Sequence, residues 1–166
     1  MATSPSAQAQ VETAEAVPFQ FGTAVRVCAG STRTPGAFSL TWVDVQSDEE
    51  AEEVRLSAAA VAAELAGEPG FISWMGLEIG RRLYTITAWE SSDAVGAVRR
   101  NRTHQAVMRR FFAGNLGAAA STGVWRADHL NALWMRCPAC TTMIDRARAG
   151  DGCPCGEPLP EAPESW

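Results

Sequence analysis

Residues 83–112 read LYTITAWESSDAVGAVRRNRTHQAVMRRFF, and this stretch decides the fold. Tyr84, Ile86 and Ala88 alternate with Leu83, Thr85, Thr87 and Trp89. That is period two with β-branched and aromatic residues, the pattern of a strand. Ser91, Ser92 and Asp93 follow, whose side-chain oxygens suit the first N–H groups of a new helix. Val95, Val98, Val107, Met108 and Phe111 supply an apolar face that lays this helix back on the strand. Thr103, a capping type inside the helical pattern, predicts a break: one helix ends near Asn101 and another starts at Thr103.

Working outward, residues 37–45 (AFSLTWVDV) form a strand with Phe38, Leu40 and Trp42 on one face. Ser47 and Glu50 make a capping box for the next helix, and Asp48 and Glu49 favour its positive end. Val54, Ala58, Val61 and Leu65 form its apolar stripe, and Gly67 and Pro69 end it. Residues 71–79 (FISWMGLEI) are a second strand, turned by Gly80, Arg81 and Arg82 into the strand at 83–89. Residues 118–126 (AAASTGVWR) are a fourth, and residues 23–28 suggest a short edge strand. The order β-α-β-β-α-β is ferredoxin-like, in the α+β class, over residues 21–128. Such a sheet carries helices on one face only. The aromatic content of its other face predicts a homodimer. Residues 1–20 read as a disordered tail.

All 14 basic residues are Arg, which excludes P-loop, Schiff-base and lysine-base chemistry. A net charge of −5 argues against a nucleic-acid partner. No run reaches the length of a membrane span, and the start of the chain has no signal-peptide pattern, so a cytoplasmic protein is expected. In that compartment the five cysteines are thiols or metal ligands before they are disulfides.

Cys137, Cys140, Cys153 and Cys155 stand in CPAC and CPCG, separated by a short loop. Two close pairs can converge on one tetrahedral ion. Four thiolates favour zinc, with iron the chemical runner-up. A closed four-sulfur site is structural, not catalytic. Residues 129–158 thus read as a zinc-ribbon-like module, its second pair spaced more tightly than usual, and residues 159–166 as a Pro-rich tail. Cys28 stands alone and suits a buried apolar position.

Pro69-Gly70-Phe71-Ile72, then residues 84–91 (YTITAWES) and Thr103-His104-Gln105-Ala106, resemble the antibiotic-biosynthesis-monooxygenase family over residues 37–126. The resemblance implies a dimeric α+β barrel and a cavity between each sheet and its helices. It implies a cofactor-independent monooxygenase, or an oxygenase-like accessory enzyme, acting on a phenolic intermediate of secondary metabolism with no organic cofactor. In that reading His104 relays a proton, Asn101 and Tyr84 donate to developing oxyanions, and Trp74, Tyr84 and Trp89 are the substrate-binding set. Trp42 and Trp89 also suit packing, since each shares a strand face with apolar residues. The alternative is a non-catalytic module that binds a small ligand or a protein. Haem degradation is a minor alternative, because Val98 stands where that branch has a second Trp. His129, beside Asp128, reads as an orienting residue without a partner motif. Arg99, Arg100, Arg102, Arg109 and Arg110 give the second helix a basic face.

Overall fold

The computed structural model describes the backbone of residues 25–28 and residues 33–163 in full. The tail expected at residues 1–20 and the side chain of Cys28 lie outside the described residues. The elements in chain order begin with β1 (Val25–Cys28), β2 (Ala37–Asp44), α1 (Asp48–Leu65), β3 (Phe71–Ile79) and β4 (Arg82–Trp89). Then come α2 (Gly96–Arg100), α3 (Arg102–Phe112), β5 (Ala119–Arg126), β6 (Trp134–Arg136), β7 (Met143–Asp145) and α4 (Arg146–Ala149). The larger sheet is antiparallel with strand order β1-β3-β4-β2-β5. Without the added edge strand β1, this is the expected β-α-β-β-α-β arrangement.

The start of α1 is built from its own sequence. Ser47 Oγ accepts the Glu50 N–H at 3.2 Å. Glu50 reaches back with one carboxylate oxygen to the Gln46 N–H at 2.6 Å, one residue earlier than a capping box requires. Its other oxygen accepts the Gly117 N–H, which ties the helix start to the entry of β5. The apolar stripe works as its spacing demands: Leu65 is buried, and Ala58 and Val61 pack on the main core. That core is Ala37, Ala62, Leu65, Phe71, Trp74, Trp89, Val95 and Ala97.

The second helical segment differs from its sequence reading at its start. Ser91 Oγ does accept the Ala94 N–H at 3.3 Å, but residues 92–95 stay in turns and α2 begins only at Gly96. The break falls where it was expected. Asn101 ends α2, and its Oδ1 accepts the His104 N–H at 2.7 Å as the N-cap of α3.

The register sorts the side chains between two faces. Ala37, Thr41 and Val43 of β2 pair with Trp89, Thr85 and Leu83 of β4 on the helix-covered side. Phe38, Leu40 and Trp42 pair with Ala88, Ile86 and Tyr84 on the other. On β3 a bulge at Ile72 breaks the alternation between Phe71 and Ser73, so Phe71 and Trp74 both face the helices.

β6 and β7 form a two-stranded sheet around a small second core of Cys137, Ile144, Cys153 and Leu159. The described start of the segment read as a tail packs here: Leu159 N–H donates to Asp151 O at 2.8 Å, and Arg146 Nη1 donates to Pro160 O at 2.6 Å.

Candidate functional site

A cavity of about 320 Å³ lies between α1 and the sheet. Its floor follows from the register. Gly76, Thr85 and Thr41 lie side by side on β3, β4 and β2, a row of small residues. Its roof is Val54, Ala58 and Ala59 of α1, where a helix over a sheet usually offers Leu or Ile. Short side chains above and below leave the space open.

Trp74 closes one end. It is buried, and its six-membered ring lies over Gly76. A Cβ added at Gly76 would come within 2.6 Å of Trp74 Cη2, so glycine is required for this placement. The other end is charged. Glu78 of β3 holds Arg55 of α1 through two hydrogen bonds, Nε to Oε2 at 2.9 Å and Nη2 to Oε1 at 3.3 Å. Arg55 Nη1 also pairs with Glu52. The hydrogen bonds that Arg55 donates to Glu78, then the one it donates to Glu52, raise its pKa. Among the described residues, Glu78 is the one carboxylate that lines the cavity.

The residues expected to act together are not all brought together. Tyr84 borders the cavity from β4, but its register partners Trp42 and Leu77 place its side chain on the opposite face from Trp74. There it accompanies Arg82, which forms a bidentate pair with Asp44 (2.6 and 2.7 Å) and stacks over Trp42 at 4.0 Å. Trp89 is fully buried; its indole N–H donates to Thr87 Oγ1 at 2.7 Å, and Phe71 meets it edge to face at 5.2 Å. It is a core residue, as its strand-face neighbours suggest. Asn101 spends both ends of its amide on structure, since Nδ2 donates to Glu64 Oε2 at 2.7 Å while Oδ1 caps α3. Thr103 donates to the same carboxylate at 2.5 Å.

His104 does not line this cavity. It borders an open groove along α3 with Arg99, Met108, Arg109 and Phe112. Burial lowers its pKa, so the neutral imidazole is favoured. His129 is exposed, held by Asp128 at 2.6 Å and Asn131 at 2.8 Å. The sequence reading passed over Arg55, Glu78, Thr41 and Gly76. The available signal was the alanine-rich middle of α1, an undersized helix face opposite a strand glycine.

The four cysteines of the C-terminal module converge as their spacing demands. All four Sγ atoms lie within 4.8 Å of one another. Cys137 and Cys155 are 3.7 Å apart, and Cys140 and Cys153 are 3.6 Å apart. A tetrahedral ion with sulfur bonds of about 2.3 Å sets its ligands roughly 3.8 Å apart, so the donor set fits. Each pair is folded into a knuckle: Thr141 N–H returns to Cys137 O at 3.0 Å, and Gly156 N–H to Cys153 O at 2.9 Å. Thr141 and Gly156 take left-handed φ values of 60° and 93° to do so. Hydrogen bonds from Thr142, then from Cys153 and Cys137, hold the Cys140 thiol down to about 6. Cys153 in the same cluster is pushed up to about 12: its backbone hydrogen bond with Cys155 lowers it, but burial and the hydrogen bonds with Cys155, Cys140 and Cys137 outweigh that, so the four sulfurs share protons unevenly.

No protein-family model and no curated protein matches the chain. Solved structures do. A Deinococcus radiodurans protein described as an antibiotic biosynthesis monooxygenase is 14% identical with a TM-score of 0.50, covering 58% of this chain and 97% of its own. SnoaB, a cofactor-independent oxygenase from Streptomyces nogalater, is 18% identical with a TM-score of 0.47, covering 57% and 95%. A monooxygenase from the gene ActVA-Orf6 of Streptomyces coelicolor, in complex with nanaomycin D, is 16% identical with a TM-score of 0.46, covering 58% and 90%. At these identities the likeness is one of fold: this chain has the ferredoxin-like fold of antibiotic biosynthesis monooxygenases, extended by a four-cysteine module.

Proposed function

We propose that the cavity between α1 and the sheet binds a small planar phenol and that the protein is a cofactor-independent oxygenase of such compounds. The observation that carries this reading is the cavity itself. It is apolar through its middle, has an indole at one end and charge at the other, and is bordered above by Val54, Ala58 and the exposed Ala59. Ligand sites are commonly concave apolar spaces with a few convergent polar groups, and about 320 Å³ is at the small end of their range. One or two fused rings suit it better than a larger system.

In the proposed reaction the substrate loses a proton from its hydroxylated ring system. The carbanion gives one electron to O₂, and the radical pair joins as a peroxide. Loss of water from the peroxide leaves the quinone: a CH₂ becomes C=O, one oxygen atom enters the product and the other leaves as water. The chain's contribution is to hold the ring against Trp74 and to offer the Thr85 hydroxyl along the floor, beside a Thr41 hydroxyl that already bonds Thr122 at 2.8 Å. Oxygen consumption with a panel of naphthols, in metal-stripped buffer, tests it. Turnover coupled to quinone formation is expected; binding without oxygen uptake would favour the second reading.

That second reading is a non-catalytic ligand-binding module. The position of His104, on α3 and outside the cavity, speaks for it, because the expected proton relay is not beside the ligand.

Two further proposals concern the rest of the molecule. The four cysteines hold a structural zinc, which would cross-link the module's two knuckles when bound. The sheet face that no described helix covers, with Leu40, Trp42, Leu77, Ile86 and the exposed Ile79 and Trp125, joins a second copy in a dimeric barrel.

A further inference from the structure

We propose that Glu78 takes the hydroxyl proton of the bound phenol and that Arg55 then holds the phenolate; this rests on the binding reading above. The argument starts from β3. Trp74, Gly76 and Glu78 occupy alternate positions on one face of this strand, the face covered by α1. Their Cα atoms therefore span about 13 Å. The Trp74 ring folds over Gly76 from one end. What remains is a slot about one or two rings long, with the Glu78 carboxylate at its far end. A ligand laid flat against the indole directs its distal edge at Glu78.

Among the described residues lining the cavity, no other carboxylate and no imidazole competes for the proton. A carboxylate offers about four lone-pair sites, and the two hydrogen bonds to Arg55 leave room for a ligand hydroxyl. When the hydroxyl donates its proton, its O–H bond breaks, the new O–H forms on Glu78, and the electron pair stays on the ligand oxygen. The negative charge moves from Glu78 to the ligand within reach of the same guanidinium. Arg55 keeps an anionic partner throughout, so neither state leaves an unpaired charge at the cavity mouth. Arg55 comes from α1 and Glu78 from β3, so the pair also closes the gap between helix and sheet at the end where charge develops.

Titration with para-nitrophenol tests the proposal in the intact chain. Trp fluorescence reports occupancy, and the phenolate absorption band reports ionisation. At a pH below the ligand's own pKa, wild-type protein quenches and shows the phenolate band. Its affinity is flat with pH, because the proton moves to Glu78 and none is released. Arg55→Gln keeps the quenching and loses the band. With Glu52→Gln as background, so that no second carboxylate sits on Arg55, Glu78→Gln sends the proton to solvent, and affinity rises about tenfold per pH unit. Quenching without a phenolate band in the wild type, or an unchanged band in Arg55→Gln, overturns the assignment while leaving the cavity a binding site. Absence of quenching by para-nitrophenol and by neutral naphthalene alike would instead overturn the binding reading on which it rests.

Discussion

At the scale of single residues, Gly76 and Trp74 define the site together. Any side chain at Gly76 meets the indole ring, so Gly76→Val displaces Trp74 or fills the slot. Naphthol quenching is expected to fall at least tenfold in Gly76→Val, with the chain still folded by circular dichroism; unchanged affinity would place the ligand elsewhere. His104 makes a different prediction. Its pKa is lowered by burial, so the unfolded chain binds the proton more readily than the folded one. Stability therefore falls as pH drops through and below the ordinary histidine value of about 6.5, and is retained above it. Thermal scans between about pH 7.5 and pH 5 should show a smaller loss in His104→Gln than in the wild type. An identical loss would mean that the His104 pKa is the same in the folded and the unfolded chain. The alternation of Tyr84 and Trp89 was readable in the sequence, but the face on which Trp74 lands was not. Counting by twos from Phe71 sends Trp74 to the other side. The bulge at Ile72 restores it to the helix face, and a bulge leaves no mark in a run such as FISWMG.

At the scale of elements, strong local signals translated directly. The capping residues of α1, the Gly80 turn between β3 and β4, and the helix break at Asn101 all stand where sequence chemistry puts them. The late start of α2 was not readable. Asp93 and the serines satisfy turns as well as a helix start, and packing of Val95 and Ala97 into the core decides between them. Asn101 joins α2, α3 and α1, since it caps α3 and bonds Glu64. Asn101→Ala is expected to cost about 1–2 kcal/mol, as cap losses do, and to lower the thermal midpoint by several degrees. A midpoint within about one degree of the wild type would show that the cap is redundant.

At the scale of the whole molecule, the two proposed assemblies rest on the cysteine cluster and on the sheet face that no described helix covers. The cysteine quartet was legible because metal ligands need only spacing and knuckle turns, both local properties of CPAC and CPCG. Purified protein should carry one zinc per chain, and Cys137→Ser should lose both the metal and the order of the Ile144 and Leu159 core. Two disulfides and no metal in freshly purified protein would contradict this. The apolar outer face predicts a dimer by light scattering at micromolar concentration, and Leu40→Asp, at its centre, should shift the equilibrium to the single chain. A wild-type protein that stays single would leave that face without its proposed partner. The resemblance implied a cavity between sheet and helices and Trp74 was expected in its lining, but the other lining residues were not legible, because they lie far apart in sequence and share little beyond small size. A crystal structure of the protein soaked with naphthol tests the central claim most directly. The account predicts the ring stacked beside Trp74 beneath Ala58 and Ala59, with its oxygen at Glu78 and Arg55. Naphthol bound in the α3 groove instead, with the space between Trp74 and Glu78 closed by side chains, would contradict it.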